Sequence, residues 1–234
     1  MNEAIILAGG LGTRLKNHVP NIPKPMAPVN GRPFLDILIK NLSNQGITKV
    51  ILSVGYMAEF IQEYFGNKKY NIDIVYSVEK NPLGTGGAIF SSLKKCHDEY
   101  VFVINGDTFL DVNFSLLDAY WKKHRKPIIV TRKVLSNSRY GTIEVEKNII
   151  KKFSSSHKNN GNCLINAGIY LLPKDLKNNL QKKIPFSFEV DYLQDAVNSK
   201  DFLSYECSDY FIDIGIPEDY EKAQIELLNN INEK

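Results

Sequence analysis

Short apolar runs of strand length alternate with segments of helical period along the first part of this 234-residue chain. The strand-like runs lie at residues 4–8, 49–54 and 72–78, and helix-like segments lie between them at 34–44 and 58–65. Strands that alternate with crossover helices pair in parallel, and such connections are right-handed. The pattern therefore predicts an α/β fold with one mostly parallel sheet flanked by helices.

The rest of the chain keeps this alternation with one interruption. Residues 141–145 and 149–153 form short strand-like pieces, and residues 154–162 are polar and rich in turn formers. We therefore expect a single mixed, Rossmann-like sheet with a small β-rich excursion at one edge and a polar loop over 154–162. Elsewhere the periodicity predicts helices near 88–95, after Ser115, at 188–197 and from Pro217, and strands at 100–105, 127–134, 163–172 and 210–215.

Charge and hydropathy argue against two classes of partner. The net charge of +3 comes from 29 basic and 26 acidic residues, and no sustained basic stripe suggests nucleic-acid binding. No run approaches the roughly 18 apolar residues that a membrane span needs, and Glu3 with the early glycines breaks the pattern of a signal peptide. We expect a cytoplasmic protein with small-molecule partners. The assembly state stays open, and a homo-oligomer is compatible with the sequence.

The stretch IILAGGLGTRL, residues 5–15, contains the end of the first predicted strand and the glycine-rich loop that follows it. Gly9, Gly10 and Gly12 place no β-carbon between backbone N–H groups and an incoming anion, and phosphate is the natural ligand of such a turn. The spacing is not that of the P-loop, and Leu15 stands where the dinucleotide-binding fingerprint has its third glycine. The glycines alone also fit a tight strand-to-helix turn.

Two cations accompany this loop. Arg14 lies at its end, and Lys24 follows with Pro23 and Pro25 on either side, which we expect to hold the lysine backbone in extended geometry. Together, LAGGLGTRL and PKPMAPVNGRPFL resemble the signature of sugar-1-phosphate nucleotidyltransferases, the enzymes that make nucleotide sugars. Further matches follow in the family's order along nearly the whole chain.

The resemblance implies the family's fold and indicates which part of the chain binds each substrate. It implies one GT-A-like domain over 1–234, with the nucleotide bound by about 1–113 and the sugar by about 114–234. Arg14 is expected to hold the triphosphate, and Lys24 to neutralise charge at the reacting phosphates. The implied nucleotide contacts are Leu7, Ala8, Gly9, Gly10, Gly12, Thr13, Arg14, Glu79, Pro82, Gly84, Thr85, Gly106 and Asp107.

EKNPLGTGGAI, residues 79–89, matches the family's base-binding element. Its glycines 84, 86 and 87 are expected to let the backbone approach a flat base or ribose. By resemblance, Glu79 reads the edge of the base. A carboxylate only accepts hydrogen bonds, and guanine offers two adjacent N–H groups where uracil and thymine offer one, so Glu79 favours GTP. A solvated glutamate at a strand end is the alternative interpretation.

Two aspartates lie at the ends of predicted strands that are far apart in the chain: Asp107 just beyond a buried strand in VINGDTF, and Asp213 at the end of an apolar strand in FIDIGIPEDY. Open α/β sheets bind ligands beyond the carboxyl ends of their strands, and Mg²⁺ takes one or two carboxylates together with phosphate oxygens. The positions resemble the family's metal pair. We expect Asp107 and Asp213 to bind Mg²⁺ and to form the catalytic set with Arg14 and Lys24. Singly, each aspartate would also fit a turn.

The sugar side matches the family less completely. Ser154, Ser155 and Ser156 follow Phe153 where many relatives have Glu-Lys-Pro, and Val190 stands in place of a lysine, so the lysines expected for the sugar phosphate are missing. Lys151, Lys152 or Lys158 could substitute, although a solvated role on a polar edge fits them too. The sugar contacts that the resemblance implies are Tyr140, Gly141, Asn166, Gly168 and Glu189.

The implied reaction joins a nucleoside triphosphate and a sugar 1-phosphate to give a nucleotide sugar and pyrophosphate. PLGTGGAI, NAGIYLL and FIDIGIPEDY look closest to family members that use GTP and D-glycero-α-D-manno-heptose 1-phosphate, so GDP-heptose is the expected product. The enzymatic alternatives are guanylyl transfer to mannose 1-phosphate and uridylyl or thymidylyl transfer to glucose 1-phosphate. A non-catalytic regulator that binds a nucleotide sugar is the alternative of another class.

Overall fold

A computed structural model describes residues 2–10, 12, 14–15, 18–137, 140–154, 159–179, 183–199 and 201–232. At its centre is a ten-stranded sheet, beside which lie two sheets of two strands each. The strands are β1 (Glu3–Leu7), β2 (Pro28–Val29), β3 (Arg32–Pro33), β4 (Lys49–Val54), β5 (Lys68–Lys69), β6 (Ile72–Val78), β7 (Tyr100–Asn105), β8 (Thr108–Leu110), β9 (Ile128–Asn137), β10 (Thr142–Glu146), β11 (Ile149–Ser154), β12 (Asn159–Pro173), β13 (Leu203–Glu206) and β14 (Phe211–Asp213).

Helices pack on both faces of the large sheet. Ile5 and Ile6 are neighbours on β1 and point to opposite faces, and each belongs to a different buried apolar cluster. No helix in the described ranges is long and apolar enough to cross a membrane. The α-helices are α1 (Phe34–Asn44), α2 (Ala58–Phe65), α3 (Gly84–Leu93), α4 (Phe114–His124), α5 (Gln194–Ser199) and α6 (Pro217–Asn232), with 3₁₀ helices at Lys24–Met26 and Lys174–Asn179 and a π-helix at Phe188–Leu193.

The amino-terminal half of the large sheet is parallel. The strand order is β10-β11-β13-β9-β12-β7-β1-β4-β6-β5, and β7, β1, β4 and β6 all run in the same direction. Their carboxyl ends therefore meet at one edge, where Leu7 lies between Ser53 and Asn105. The predicted mixed α/β fold is confirmed, and the predicted bounds of α1, β4, α2 and β6 match the structure.

The mostly parallel character does not extend through the other half. There β12 runs antiparallel to both β7 and β9, and β10 and β11 form an antiparallel pair. The polar loop predicted over 154–162 is wrong in extent, because β11 continues through Ser154 and β12 already begins at Asn159. The first residues of β12 pair with the end of β9, with Asn162 opposite Leu135. This pairing satisfies backbone groups whatever the side chains are.

Candidate active site

A cleft of about 720 Å³ lies at the edge where the carboxyl ends of β1, β4, β6 and β7 meet. This volume is within the ordinary range for small-molecule sites, and the position is the one at which open α/β sheets bind ligands. Thr13 lies outside the described residues. Of the residues predicted from the motifs, the lining of the cleft includes Leu7, Gly9, Gly10, Gly12, Arg14, Lys24, Glu79, Pro82, Gly84, Thr85, Asp107 and Glu189.

The glycines of the loop after β1 have two different roles: some allow the loop to pack closely against other residues, and one leaves space in the cleft. A β-carbon on Gly9 would lie 3.1 Å from Glu79 Oε1, and Gly12, with a φ of +60°, lies against the side chain of Lys24. Among the described atoms, a β-carbon on Gly10 would have no neighbour within 4 Å. Gly9 and Gly12 therefore let the loop pack onto Glu79 and Lys24, while Gly10 leaves room for a ligand to approach.

Lys24 is held beside Asp107 by a tight turn. Pro23 is extended, with φ −63° and ψ 140°, and a 3₁₀ helix begins at Lys24. The predicted extended geometry of Lys24 is therefore wrong, because the Ala27 amide closes the turn by donating to the Lys24 carbonyl oxygen at 3.0 Å. The Lys24 ammonium forms an ion pair with the Asp107 carboxylate, and only 10% of the lysine side chain is exposed.

Asp213 reaches the same place through the pairing of β14 with β8. The Ile214 amide donates to the Asp107 carbonyl oxygen at 2.9 Å, and the Gly215 amide donates to Asp213 Oδ1 at 2.7 Å. A β-carbon on Gly215 would lie 2.7 Å from Asp213 Oδ1 and 3.3 Å from Lys24 Nζ. Two carboxylates and one ammonium from distant parts of the chain therefore gather around Gly215.

Glu79 lies directly after β6, and both of its carboxylate oxygens are oriented by hydrogen bonds. Oε1 accepts from Ser53 Oγ at 3.2 Å, and Oε2 accepts from the Leu83 amide at 3.0 Å. Since each carboxylate oxygen can accept about two hydrogen bonds, both can receive a further donor. The carboxylate can thus bind a group that offers two N–H donors side by side.

The glycines at the start of α3 pack against a later segment of the chain. Gly84 has a φ of +71°, and β-carbons on Gly84 and Gly86 would collide with the backbone and the ring of Phe186, respectively. The Phe186 amide donates to the Leu83 carbonyl oxygen at 3.1 Å, and the Gly86 amide donates to the Phe186 carbonyl oxygen at 3.0 Å. The prediction that the missing β-carbons of Gly84, Gly86 and Gly87 make room for a base or ribose is therefore wrong: Phe186 fills the space beside the first two, and a β-carbon on Gly87 would lie 2.8 Å from Leu83 Cβ.

Gly84→Ala is expected to lower the free energy of unfolding by about 2 kcal/mol or more. A left-handed φ costs an alanine about 1–2 kcal/mol, and the collision with Phe186 adds about 1–3 kcal/mol. Gly46→Ala is the matched control, because Gly46 also has a positive φ, +84°, but a β-carbon there would have no described neighbour within 4 Å. Chemical denaturation measures both variants, and equal destabilisation would contradict the steric role of Phe186.

Glu189 marks the sugar-side end of the predicted motifs. Asn166 Nδ2 lies 2.7 Å from Glu189 Oε1 and 2.6 Å from the Tyr170 hydroxyl, which itself donates to Glu189 Oε1 at 3.1 Å. The pKa of the Glu189 carboxyl is raised above its usual value, chiefly because burial disfavours the charged form. The negative charge of Asp107 also raises this pKa, and the hydrogen bonds from Tyr170 and Asn166 lower it. Glu189 is therefore a fixed, largely desolvated carboxyl group near Asp107.

The remaining predicted residues that the structure describes do not line the cleft. A β-carbon on Gly168, whose φ is +73°, would lie 2.8 Å from Asn105 Nδ2. The ring of Tyr140 packs edge-on against Phe211, with centroids 6.0 Å apart. The predicted residues outside the cleft lining are Ala8, Gly106, Tyr140, Gly141, Asn166, Gly168 and Asp213.

Two of the lysines named as substitutes on the sugar side, Lys151 and Lys152, are described, and neither is in the cleft lining. Lys151 is exposed, and Lys152 Nζ lies 3.1 Å from Glu144 Oε1, with more than half of both side chains exposed. Residues 155–158, which include Ser155, Ser156 and Lys158, lie outside the described residues. Neither described lysine contacts the groups around Glu189.

The model of the nucleotidyl transferase family matches residues 3–230. The chain belongs to the nucleotidyl transferase family. It is 48% identical to a D-glycero-α-D-manno-heptose 1-phosphate guanylyltransferase of Campylobacter jejuni, over 93% of this chain and 96% of that one. It is 42% identical to the protein of the same name from Aneurinibacillus thermoaerophilus, over 98% and 100%. The family and the class of enzyme predicted from the motifs are confirmed.

A solved relative agrees in structure as well. HddC from Yersinia pseudotuberculosis, in a crystal structure described as a complex with GMP-PN, is 35% identical and superposes with a TM-score of 0.86. The alignment covers 97% of this chain and 100% of that one. The nucleotidyl transferase fold therefore extends over nearly the whole length of the protein.

Several residues that shape the cleft of this nucleotidyltransferase were not identified from the sequence. Ser53, Asn105 and Tyr170 lie within apolar strands, where a single polar side chain looks like an ordinary part of the core. Phe186 and Gly215 act by packing against distant residues. Ser53 and Asn105 could have been found from their place at strand ends that point to the ligand edge; Phe186 carries no such signal.

Proposed function

We propose that this nucleotidyltransferase transfers the guanylyl group of GTP to D-glycero-α-D-manno-heptose 1-phosphate in the cytoplasm, giving GDP-heptose and pyrophosphate. The identity of 48% and 42% to two proteins with that named activity carries the proposal. The cleft is large enough for a nucleotide sugar, at about 720 Å³. In this proposal the chain is one domain, with residues 1–113 binding mainly the nucleotide and 114–234 mainly the sugar.

Glu79 reads the guanine base. Its Oε1 and Oε2 each have one partner, Ser53 and Leu83, and each can accept one more hydrogen bond. Guanine presents N1–H and N2–H₂ side by side, which matches two neighbouring acceptors, whereas uracil and thymine present one imide N–H. A base with a single N–H donor would leave one of the two carboxylate oxygens without its second hydrogen bond, and this difference is the source of selectivity.

The triphosphate lies along the loop after β1. Gly10 offers backbone that no β-carbon screens, and Arg14 lines the same cleft. Gly12 and Thr13 complete the predicted cradle. Lys24 lies next to the aspartates rather than in open solvent, so its charge acts on the phosphates that react.

Asp107 and Asp213 fit a divalent cation. The Lys24 ammonium already lies against Asp107 and beside Gly215, so this is a place where the carboxylates hold positive charge. In the described part of the chain, no group of three or more His, Cys, Asp or Glu is arranged to hold a metal, and Mg²⁺ commonly uses only one or two carboxylates with phosphate and water. Bound here, Mg²⁺ supplies positive charge to the phosphate oxygens.

The sugar lies toward Glu189. The Glu189 carboxylate accepts hydrogen bonds from sugar hydroxyls, and Asn105 lines the same region of the cleft. Tyr140, Gly141, Asn166 and Gly168 form the surroundings of this region. A desolvated carboxylate discriminates strongly between sugars, because a missing or inverted hydroxyl leaves it without a partner.

The phosphate of the sugar is itself the nucleophile. One of its oxygens forms a bond to the α-phosphorus of GTP, the bond between that phosphorus and the oxygen bridging to the β-phosphate breaks, and pyrophosphate leaves. Since this nucleophile is an anion at neutral pH, no general base is required, and the barrier lies in charge repulsion and alignment. Arg14 and Lys24 lower it with fixed positive charge.

Pyrophosphate release across a matrix of substrates tests the proposal. The matrix crosses ATP, CTP, GTP, UTP and dTTP with the 1-phosphates of D-glycero-α-D-manno-heptose, mannose and glucose, each with Mg²⁺. We expect the highest kcat/KM with GTP and the heptose. A preference for UTP or dTTP would contradict the role of Glu79, and a preference for mannose would replace the sugar assignment while keeping guanylyl transfer.

The same matrix separates the enzyme from a regulator that only binds. A regulator would bind a nucleotide sugar such as GDP-heptose in an equilibrium measurement and release no pyrophosphate with any pair. The buried lysine beside two carboxylates favours the enzyme, because binding alone does not require that combination of charges at one point.

A further inference from the structure

Two side chains, Tyr170 and Asn166, form hydrogen bonds with the carboxyl group of Glu189. We propose that Tyr170 and Asn166 are positioning residues: they hold Glu189 Oε1 in place so that Oε2 is presented to a sugar hydroxyl, and both N–H donors of Asn166 serve this support rather than the sugar. The proposal rests on the function proposed above and deepens it. It changes the role expected for Asn166 and adds Tyr170, which the motifs did not indicate.

The two N–H donors of Asn166 are already used inside the protein. Its Nδ2 carries two protons, and the atom lies 2.6 Å from the Tyr170 hydroxyl and 2.7 Å from Glu189 Oε1. Its Oδ1 accepts from the Gly168 amide at 3.1 Å. With both donors engaged, the side chain could donate to a sugar only by releasing Tyr170 or Glu189.

Tyr170 is a rigid support for the carboxylate. It lies on β12 between β7 and β9, opposite Val103 and Ile129, and is almost fully buried. Its ring packs edge-on against Phe188, the neighbour of Glu189 in the chain, with centroids 5.3 Å apart. The hydroxyl accepts a hydrogen bond from Asn166 and donates one to Glu189 at 3.1 Å, and these two bonds fix its orientation.

Glu189 needs such support because its side chain has three rotatable bonds and comes from a short π-helix. The two hydrogen bonds from Tyr170 and Asn166 both end on Oε1. No hydrogen bond to Oε2 occurs within the described residues, and Glu189 lines the cleft. A carboxylate fixed through one oxygen can bind a ligand through the other without reorganising, which is the advantage of a preorganised site.

Tyr170→Phe tests the proposal, because it keeps the ring and removes the hydroxyl. We expect KM for the heptose 1-phosphate to rise about tenfold, the size of one lost hydrogen bond to a charged group, while KM for GTP changes less than twofold. Tyr192→Phe is the matched control: Tyr192 is a buried tyrosine that stacks on the same Phe188 at 5.1 Å, and its hydroxyl does not bond Glu189. It should leave both KM values unchanged.

A double-mutant cycle with Glu189→Gln gives the decisive result. If Tyr170 acts through the carboxylate, Tyr170→Phe should raise KM for the sugar phosphate much less in the Glu189→Gln background than in the wild type. Equal effects in both backgrounds, or parallel increases in KM for GTP and for the sugar, would overturn the proposal. Asn166→Ala carries the same cycle independently if Tyr170→Phe folds poorly.

Failure of this inference is distinguishable from failure of the proposed function. If the wild type releases no pyrophosphate with GTP and the heptose 1-phosphate, the proposed function fails. If the wild type is active and Tyr170→Phe behaves like Tyr192→Phe, the positioning role fails and the function stands. If another sugar 1-phosphate is the better substrate, the cycle is run with that sugar and has the same two outcomes.

Discussion

Asp213→Asn is expected to lower kcat for nucleotidyl transfer by about 100-fold or more, the size found when one preorganised electrostatic contact to a transition state is lost. Asparagine keeps the shape of the side chain and can still accept the Gly215 amide, which donates to Asp213 Oδ1 at 2.7 Å. The turn around Gly215 should therefore survive. The variant loses one negative charge at the point where Asp107, Asp213 and Lys24 meet. The proposed Mg²⁺ should therefore bind more weakly.

Steady-state pyrophosphate release measures this effect, and thermal unfolding of the same sample checks the fold. Asp73→Asn is the matched control, since Asp73 is an exposed aspartate whose Oδ1 lies 3.9 Å from Lys68 Nζ on the surface. It should keep wild-type turnover. Near-normal kcat in Asp213→Asn would remove Asp213 from the reaction centre and leave the metal role to Asp107.

The parallel half of the sheet could be predicted from the sequence because its signals are local. In β4 and β6, apolar runs of strand length lie between helices whose ends are marked by Gly46 and Gly66. Each element can be identified within a window of about ten residues, and right-handed crossover connections then determine the arrangement. The start of β12 could not be predicted in this way, because polar residues 159–162 form a strand only through their partner, β9.

The two aspartates of the site could also be predicted, because their signals are local in the sequence. Asp107 follows the buried strand β7, and Asp213 is the last residue of the apolar strand β14. An aspartate at the carboxyl end of an apolar run indicates a ligand site without knowledge of the neighbours. Their meeting at Gly215 depends on the pairing of β8 with β14, which joins segments about a hundred residues apart in the chain. Phe186 and Tyr170 gave no signal, because a buried aromatic residue that supports a site looks the same as one that only fills the core.

Lys24→Met is expected to produce two opposite changes. Turnover should fall by about 100-fold, because a fixed cation beside the reacting phosphates is lost. The affinity of the nucleotide-free protein for Mn²⁺ should instead become several-fold tighter. The Lys24 ammonium forms an ion pair with Asp107 and lies beside Gly215, so it competes with a metal ion for the same carboxylates.

Electron paramagnetic resonance of Mn²⁺ titrated into the nucleotide-free protein measures the second change without any need for activity. Lys122→Met is the control, because the exposed Lys122 pairs with the half-buried Asp118 within α4, at 2.9 Å, and its loss should alter neither turnover nor Mn²⁺ binding. Unchanged or weaker Mn²⁺ binding in Lys24→Met would contradict the competition. It would mean that the metal and the lysine occupy separate places, and that Lys24 does not have to leave Asp107 before it can act on a phosphate. Tighter binding with lost turnover would show that one lysine serves two states: it balances the carboxylates before the metal arrives and neutralises the phosphates afterwards.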